Sequence, residues 1–341
     1  MTLNNLPRMY LKPWETDSRQ VWTYRILVAH DSAALWKLFS SKSLGHHFHL
    51  YTQNVAGQET DEIERWLDRE FETPAEEPIK KVLSNGQLTP NDWKCLVRFL
   101  AAQDVRTPAW FAQKMRSWEQ SLPELLKKTI VQSLEKYERS RTSGEPLSQP
   151  PPTENRERLP LRVRVKRHPS GGGEIGAEML IGRKLWLWTV TRVLNQTVKV
   201  LHGHRWAILR PPKGMAWLTS DNPVMRLNLT SATKYNFEGG WNSRGTCIVL
   251  PLGPEHLLYT QVGQRPPQRG ERMLKEHADL VRQFTAEHAW RTIFANKQDS
   301  EVALFRPRIV NSLEVQRERE QWASWHEQQV RAEQEMDETD S

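Results

Sequence analysis

Residues 88–110, Leu-Thr-Pro-Asn-Asp-Trp-Lys-Cys-Leu-Val-Arg-Phe-Leu-Ala-Ala-Gln-Asp-Val-Arg-Thr-Pro-Ala-Trp, constrain the fold of this chain more than any other stretch. Thr89 is a good N-cap, Pro90 suits the first helical position, and Asp92 stands where a capping box puts its returning carboxylate. Trp93, Leu96, Val97, Leu100 and Ala101 recur at helical spacing, and a second apolar line runs from Leu96 and Phe99 through Gln103 and Arg106 to Trp110. A helix apolar on most sides is buried, so Gln103 and Arg106, three apart on one face, need partners inside the protein. They are the first candidate ligand-binding residues.

Around this helix, residues 6–11 and 21–28 read as two paired strands from their β-branched and aromatic content. Residues 44–51 read as extended. A helix begins at Thr60 with an acidic first turn; Ile63, Trp66, Leu67 and Phe71 form its apolar stripe, flanked by Glu64 and Glu70. Helical spacing resumes over 108–140, with a bend expected at Pro123. Residues 140–160, with Ser-Gly-Glu-Pro and Gln-Pro-Pro-Pro, cannot build a core and form a linker or long surface loop. Residues 161–167 then alternate strictly, placing Arg162, Arg164 and Lys166 on one face of a strand and Leu161, Val163 and Val165 on the other. The pattern predicts helices over 174–196 and 271–296, and strands at 204–209, 217–219, 247–252, 257–262 and 302–305. From 314 onward the chain is charged and Gln-rich, as a solvated helix or a disordered tail would be. The fold class expected is α+β, a helical N-terminal half packed on a mostly antiparallel sheet supplied mainly by the C-terminal half. One unit covers 1–311, and 312–341 form the tail.

Lys and Arg total 48 against 41 Asp and Glu, a formal charge of +7 that favours acidic partners. The densest basic block is 156–167, which makes Arg162, Arg164 and Lys166 candidates for contact with nucleic acid or another polyanion; a solvated, charge-protected edge strand has the same composition. Tryptophan supplies 15 residues against 9 Phe and 6 Tyr, most of them expected in the core. Two cysteines, Cys95 and Cys247, build neither a disulfide framework nor a cysteine zinc cluster. The most apolar stretch, 180–194, is broken by Arg183, Lys184 and Arg192, and the start of the chain lacks a basic region followed by an apolar run. No membrane association and a cytoplasmic location are the expectations that follow.

Motifs with a defined chemistry are few. His46, His47 and His49 crowd one short stretch; on a strand His47 and His49 share a face, and Glu64 or Glu70 would complete a divalent-metal site. Scattered histidines are more often surface or core residues. Ser220-Asp221-Asn222-Pro223 follows a strand-like run, where its carboxylate and amide either grip a polar ligand or bond their own backbone in a turn. A glycine-rich phosphate loop, a nucleophile elbow, a His-Glu-x-x-His helix and a dinucleotide fingerprint are all missing, which disfavours the common nucleotide-binding and serine-hydrolase classes.

Several landmarks fall in a recognisable order: Pro7-Arg-Met-Tyr-Leu11, Phe48-His-Leu-Tyr-Thr52, Glu64 with Leu67 and Glu70, Phe99-Leu-Ala-Ala-Gln-Asp-Val-Arg-Thr-Pro108, Thr219-Ser-Asp-Asn-Pro-Val224 and Pro251-Leu-Gly-Pro254. Together, over roughly residues 3–305, the chain resembles the family catalogued as domain of unknown function 4238, with Gln-x-x-Arg-x-Pro and Ser-Asp-Asn-Pro its most specific pieces. Members usually carry a histidine just before Pro-x-x-Tyr-Leu; here Asn4 and Asn5 stand there. The resemblance carries no activity. It implies one intracellular α+β unit and a shortlist of positions: Gln103, Arg106, Asp221 and Asn222. The functional expectation is an uncharacterised ligand-binding or interaction protein with nucleic acid as a candidate contact. The alternative is a metal-assisted phosphodiester hydrolase using Asp221, the histidines and the acidic helix, and a divalent metal enters only under that alternative.

Overall fold

The structure is a computed structural model that describes residues 6–44, 53–55, 58–144, 159–169 and 173–338. Its helices are α1 (Arg8–Leu11), α2 (Glu62–Leu67), α3 (Glu76–Leu83), α4 (Pro90–Val105), α5 (Pro108–Ser143), α6 (Arg183–Leu201), α7 (Lys275–His288), α8 (Val302–Phe305) and α9 (Ser312–Glu338). The strands are β1 (Gln20–Arg25), β2 (Leu27–Val28), β3 (Trp36–Ser40), β4 (Gln53–Val55), β5 (Gln58–Thr60), β6 (Leu161–Arg167), β7 (Gly173–Met179), β8 (Ala207–Leu209), β9 (Thr219–Ser220), β10 (Met225–Ser231), β11 (Lys234–Asn236), β12 (Cys247–Gly253), β13 (His256–Gln261), β14 (Thr292–Ala295) and β15 (Ile309–Val310).

The fold is α+β. A five-stranded antiparallel sheet runs β11-β10-β12-β13-β8, and a four-stranded antiparallel sheet runs β3-β1-β14-β9. The first comes wholly from the C-terminal half. The second mixes the halves, because Trp22 and Tyr24 of β1 register with Ala295 and Ile293 of β14. The basic strand β6 joins neither sheet; among the described residues it pairs only with β7, in a separate hairpin.

Helix α4 forms as its caps dictate. The Thr89 N–H donates to the Asp92 carboxylate at 2.7 Å, and the Asp92 N–H donates to Thr89 Oγ1 at 3.2 Å. Leu96, Phe99, Leu100 and Ala101 are fully buried in one core cluster that also takes in Tyr10, Trp14, Trp186, Val190, Leu250 and Leu258. Apolar residues from before position 145 and after position 158 therefore share one interior. Helix α5 follows with no spacer: Arg106 closes α4, and Thr107 caps α5 by accepting the Trp110 N–H at 3.2 Å. It runs continuously through Pro123 to a left-handed Gly144 (φ 71°).

Five local expectations are corrected. Residues 6–11 form a helical turn instead of a strand; Tyr10, Leu11 and Trp14 are buried at the i, i+1, i+4 spacing of one helical face. The helix expected over 174–196 starts only at Arg183, because residues 173–179 find a ladder on β6, with Glu174 opposite Lys166 and Glu178 opposite Arg162. The helix over 271–296 stops at His288, and Ile293 and Phe294 enter the four-stranded sheet. Residues 302–305 are a helical turn. The segment from 312 is helical, and it is not wholly solvated: Trp325 and Glu333 are 8% and 1% exposed. The extended reading of 44–51 falls, apart from Leu44, outside the described residues; of the loop read over 140–160, residues 140–143 belong to α5 and 145–158 lie outside the described residues.

Candidate functional site

The C-terminal turn of α4 carries Gln103 and Arg106 into the interior. Gln103 is 0% exposed, and among the described residues neither its Oε1 nor its Nε2 has a hydrogen-bond partner. An amide withdrawn from water without partners costs about 1–3 kcal/mol. Arg106 is 1% exposed and forms an ion pair with Glu72, on the short π-turn that continues α2. Glu64, on α2, is half-buried; burial pushes its carboxyl above the usual range, and the Arg106 guanidinium pulls it back most. Arg106 thus connects the buried end of α4, where Gln103 also lies, to the partly buried carboxylates Glu72 and Glu64.

Asp221 does not meet Arg106. Its Oδ1 accepts the Trp290 N–H and its Oδ2 the Arg291 N–H, both at 2.8 Å. Burial raises the Asp221 carboxyl to about 6, against the opposing pull of those backbone donors. Catching two N–H groups just past the end of α7 turns the chain into β14. Asn222 is equally engaged: its Nδ2 donates to the His288 carbonyl at 3.1 Å and faces His288 Nε2 at 3.2 Å, while its Oδ1 accepts the Thr107 hydroxyl at 3.3 Å. The His288 Nδ1–H donates to the Asn222 carbonyl at 3.0 Å, which fixes Nε2 as the acceptor. Burial lowers this imidazole to about 4, with Arg226 adding to the effect, so it is neutral near pH 7.

The two motif segments therefore meet through Thr107 and Asn222, yet the four shortlisted residues form two groups. Gln103 and Arg106 share the buried end of α4, with Arg106 paired to Glu72; Asp221 and Asn222 form a clamp joining the ends of α7, β9 and α5. Only one bond of this clamp is the local kind a turn makes, the Asn222 N–H to Ser220 Oγ at 3.2 Å; the side chains of Asp221 and Asn222 bond distant segments instead. The family model described as protein of unknown function, DUF4238, matches residues 6–299. The chain belongs to the DUF4238 family. Comparison of this DUF4238 chain with curated proteins and with solved structures returned no match.

Elsewhere in this DUF4238 chain, Glu70 is held by Arg98 at 3.1 Å and by Arg69 at 3.2 Å. His46, His47 and His49 lie outside the described residues. Among the described residues no three His, Cys, Asp or Glu side chains are grouped to hold a metal ion. On the hairpin, Arg164 pairs with Glu178 at 3.1 Å, Arg162 donates to the Glu335 carbonyl at 3.2 Å, and Lys166 registers with Glu174. No helix of the described residues is long and apolar enough to cross a membrane. Sequence reasoning missed Glu72, Thr107 and His288. It also missed Asp104, the neighbour of Gln103, whose carboxyl is raised by burial and meets Arg226 Nε at 3.4 Å. Thr107 had a signal, since Thr-Pro is a helix start; Glu72 and His288 had none, because their partners come from other elements.

Proposed function

We propose that this DUF4238 member binds a small polar ligand at the buried end of α4, with Gln103, Arg106, Glu72 and Glu64 as its residues and Asp221 and Asn222 as positioning residues. The observation that carries the reading is Gln103, whose amide is fully buried with both polar atoms unpartnered among the described residues. Buried side-chain amides are nearly always satisfied, so one with neither group bonded points to a missing partner. A ligand offering one donor and one acceptor to Gln103 recovers that cost, and the adjacent Arg106–Glu72 pair supplies charge for orientation. The unit carrying the site is residues 1–311, with 312–341 as its charged tail.

The test compares wild type with Gln103→Leu in a thermal-shift panel of small amides, amino acids and carboxylates. Leucine fills similar space without polar atoms, so the variant melts at or above the wild-type temperature while losing the ligand-induced shift. A panel that moves neither protein, with Gln103→Leu simply more stable, refutes the reading and leaves Gln103 as a tolerated structural defect.

Contact with nucleic acid or another polyanion through Arg162, Arg164 and Lys166 has less support, because Glu174 and Glu178 lie across the same hairpin. Salt-dependent anisotropy with labelled DNA and RNA, repeated on Arg162→Gln/Arg164→Gln, tests it. The hydrolase reading has less support, because two of its carboxylates are already engaged: Asp221 is held by backbone donors and Glu70 by arginines. Divalent-ion-dependent cleavage lost in Asp221→Ala is the result that would restore it.

A further inference from the structure

A cavity of about 230 Å³ opens where the end of α3 meets the β8 edge of the five-stranded sheet, and Arg210, Arg269, His256 and Asn85 line it. Its geometry starts from the helix terminus. The Asn85 N–H bonds to the Val82 carbonyl at 3.0 Å and the Gly86 N–H to the Lys81 carbonyl at 2.7 Å, the paired bonds of a helix stop with a left-handed residue. Asn85 is that residue (φ 59°). Its Oδ1 accepts from the Arg210 guanidinium and from His256 Nε2–H at 3.1 Å. The Arg269 guanidinium donates to the Gly86 carbonyl.

Two features set this cluster apart. Among the described residues neither Arg210 nor Arg269 is paired with a carboxylate, whereas Arg106, Arg183, Arg282 and Arg291 each are. His256 is 4% exposed, and its Nδ1 has no partner among the described residues. With Nε2–H given to Asn85, Nδ1 is the bare acceptor of a neutral ring and becomes a donor only on protonation. Burial, then the two guanidiniums, hold this imidazole down to about 4. Unpaired cations and a buried imidazole around one cavity are short of negative charge.

We propose that this cavity is a binding site for a small oxyanion of the phosphate class, held by Arg210 and Arg269 beside His256. Guanidinium forks match the oxygens of such an anion, and the cavity is below the size of pockets that enclose drug-sized ligands. This site stands apart from the Gln103 face and does not depend on it. The competing account is that the carbonyls ending α3 alone satisfy the two arginines.

The experiment is calorimetric titration of the full chain with inorganic phosphate at constant ionic strength, with acetate as a parallel arm and the His256 ring followed by NMR. Support is saturable one-to-one phosphate binding, weakened about tenfold or more by Arg269→Gln, an exposed position, and by Arg210→Gln. Bound phosphate also raises the pH at which His256 titrates. Arg210→Lys, which keeps the charge, guards against a folding defect by retaining part of the affinity. Absence of saturable binding, or binding equal in wild type and both glutamine variants, overturns the site and leaves the helix-end account. Acetate binding tighter than phosphate overturns the ligand class.

Discussion

Thr107 and Asn222 are joined at 3.3 Å, hydroxyl to amide oxygen, across 115 positions of sequence. That contact ties the N-cap of α5 to the clamp that ends α7, so one side chain sets the exit of two helices from the core.

Removing either partner weakens both helix ends. Thr107→Ala loses an N-cap and is expected to cost about 1 kcal/mol. Asn222→Ala strips partners from the His288 carbonyl and ring and is expected to cost about 1–3 kcal/mol. A double-mutant cycle in urea should show a coupling of at least ~0.5 kcal/mol; strictly additive losses would mean that the hydroxyl–amide contact contributes nothing.

Arg106→Gln leaves Glu72 buried without its cation and is expected to destabilise by about 3–5 kcal/mol. Replacing both by apolar residues, Arg106→Met with Glu72→Leu, should recover most of that loss. The Glu64 carboxyl, now relieved of the Arg106 attraction, should titrate at higher pH than in wild type, as read by NMR.

Acid stability depends on opposed groups. His256 and His288 are held at about 4 in the folded chain, so below their ordinary value of 6.5 the unfolded chain binds protons that the folded chain does not, and stability falls as pH drops from 6.5 toward 4. Asp221, raised to about 6 from 3.8, acts in reverse: its folded form keeps a proton through that window, so its contribution declines as pH rises. The two histidines favour a loss on acidification, which Asp221 and the likewise raised Glu64 and Asp104 carboxyls oppose; Asp221→Asn should therefore shift the slope toward greater acid loss and His288→Gln toward less. Urea midpoints at neutral and mildly acidic pH measure it, and unchanged slopes in both variants would count against these assignments.

Arg183 and Glu333 form a buried two-point pair, Nε to Oε1 at 3.1 Å and Nη2 to Oε2 at 2.7 Å, while Phe111 packs edge-on against Trp186 and Trp325. Glu333→Ala should therefore cost about 3–5 kcal/mol. Deleting residues 312–341 should expose Phe111 and Trp186 and increase binding of an apolar dye; a truncated chain with wild-type melting and no dye binding would show that α9 is dispensable.

Local chemistry explains which elements the sequence disclosed. The start of α4 was legible because Thr89, Pro90 and Asp92 act within four residues, and β12 and β13 because apolar runs sit between turn residues. What remained hidden depends on distant partners. β7 is a strand only because β6 offers it a ladder, and β14 begins where Asp221 captures two N–H groups. The burial of Gln103 and Arg106 followed from helical spacing. The identity of Glu72 as the counter-ion did not, since α2 and its π-turn carry Glu64, Asp68, Glu70 and Glu72 and only tertiary geometry selects among them.

The direct junction of α4 and α5 also fixes chain length at one point. One residue inserted between Arg106 and Thr107 would lengthen this two-residue junction and displace the start of α5, carrying Thr107 off Asn222 and Phe111 off its aromatic neighbours. Arg106 and Thr107 are thus a fixed-length joint between the two helices, and homologous chains that keep this arrangement must align there without a gap.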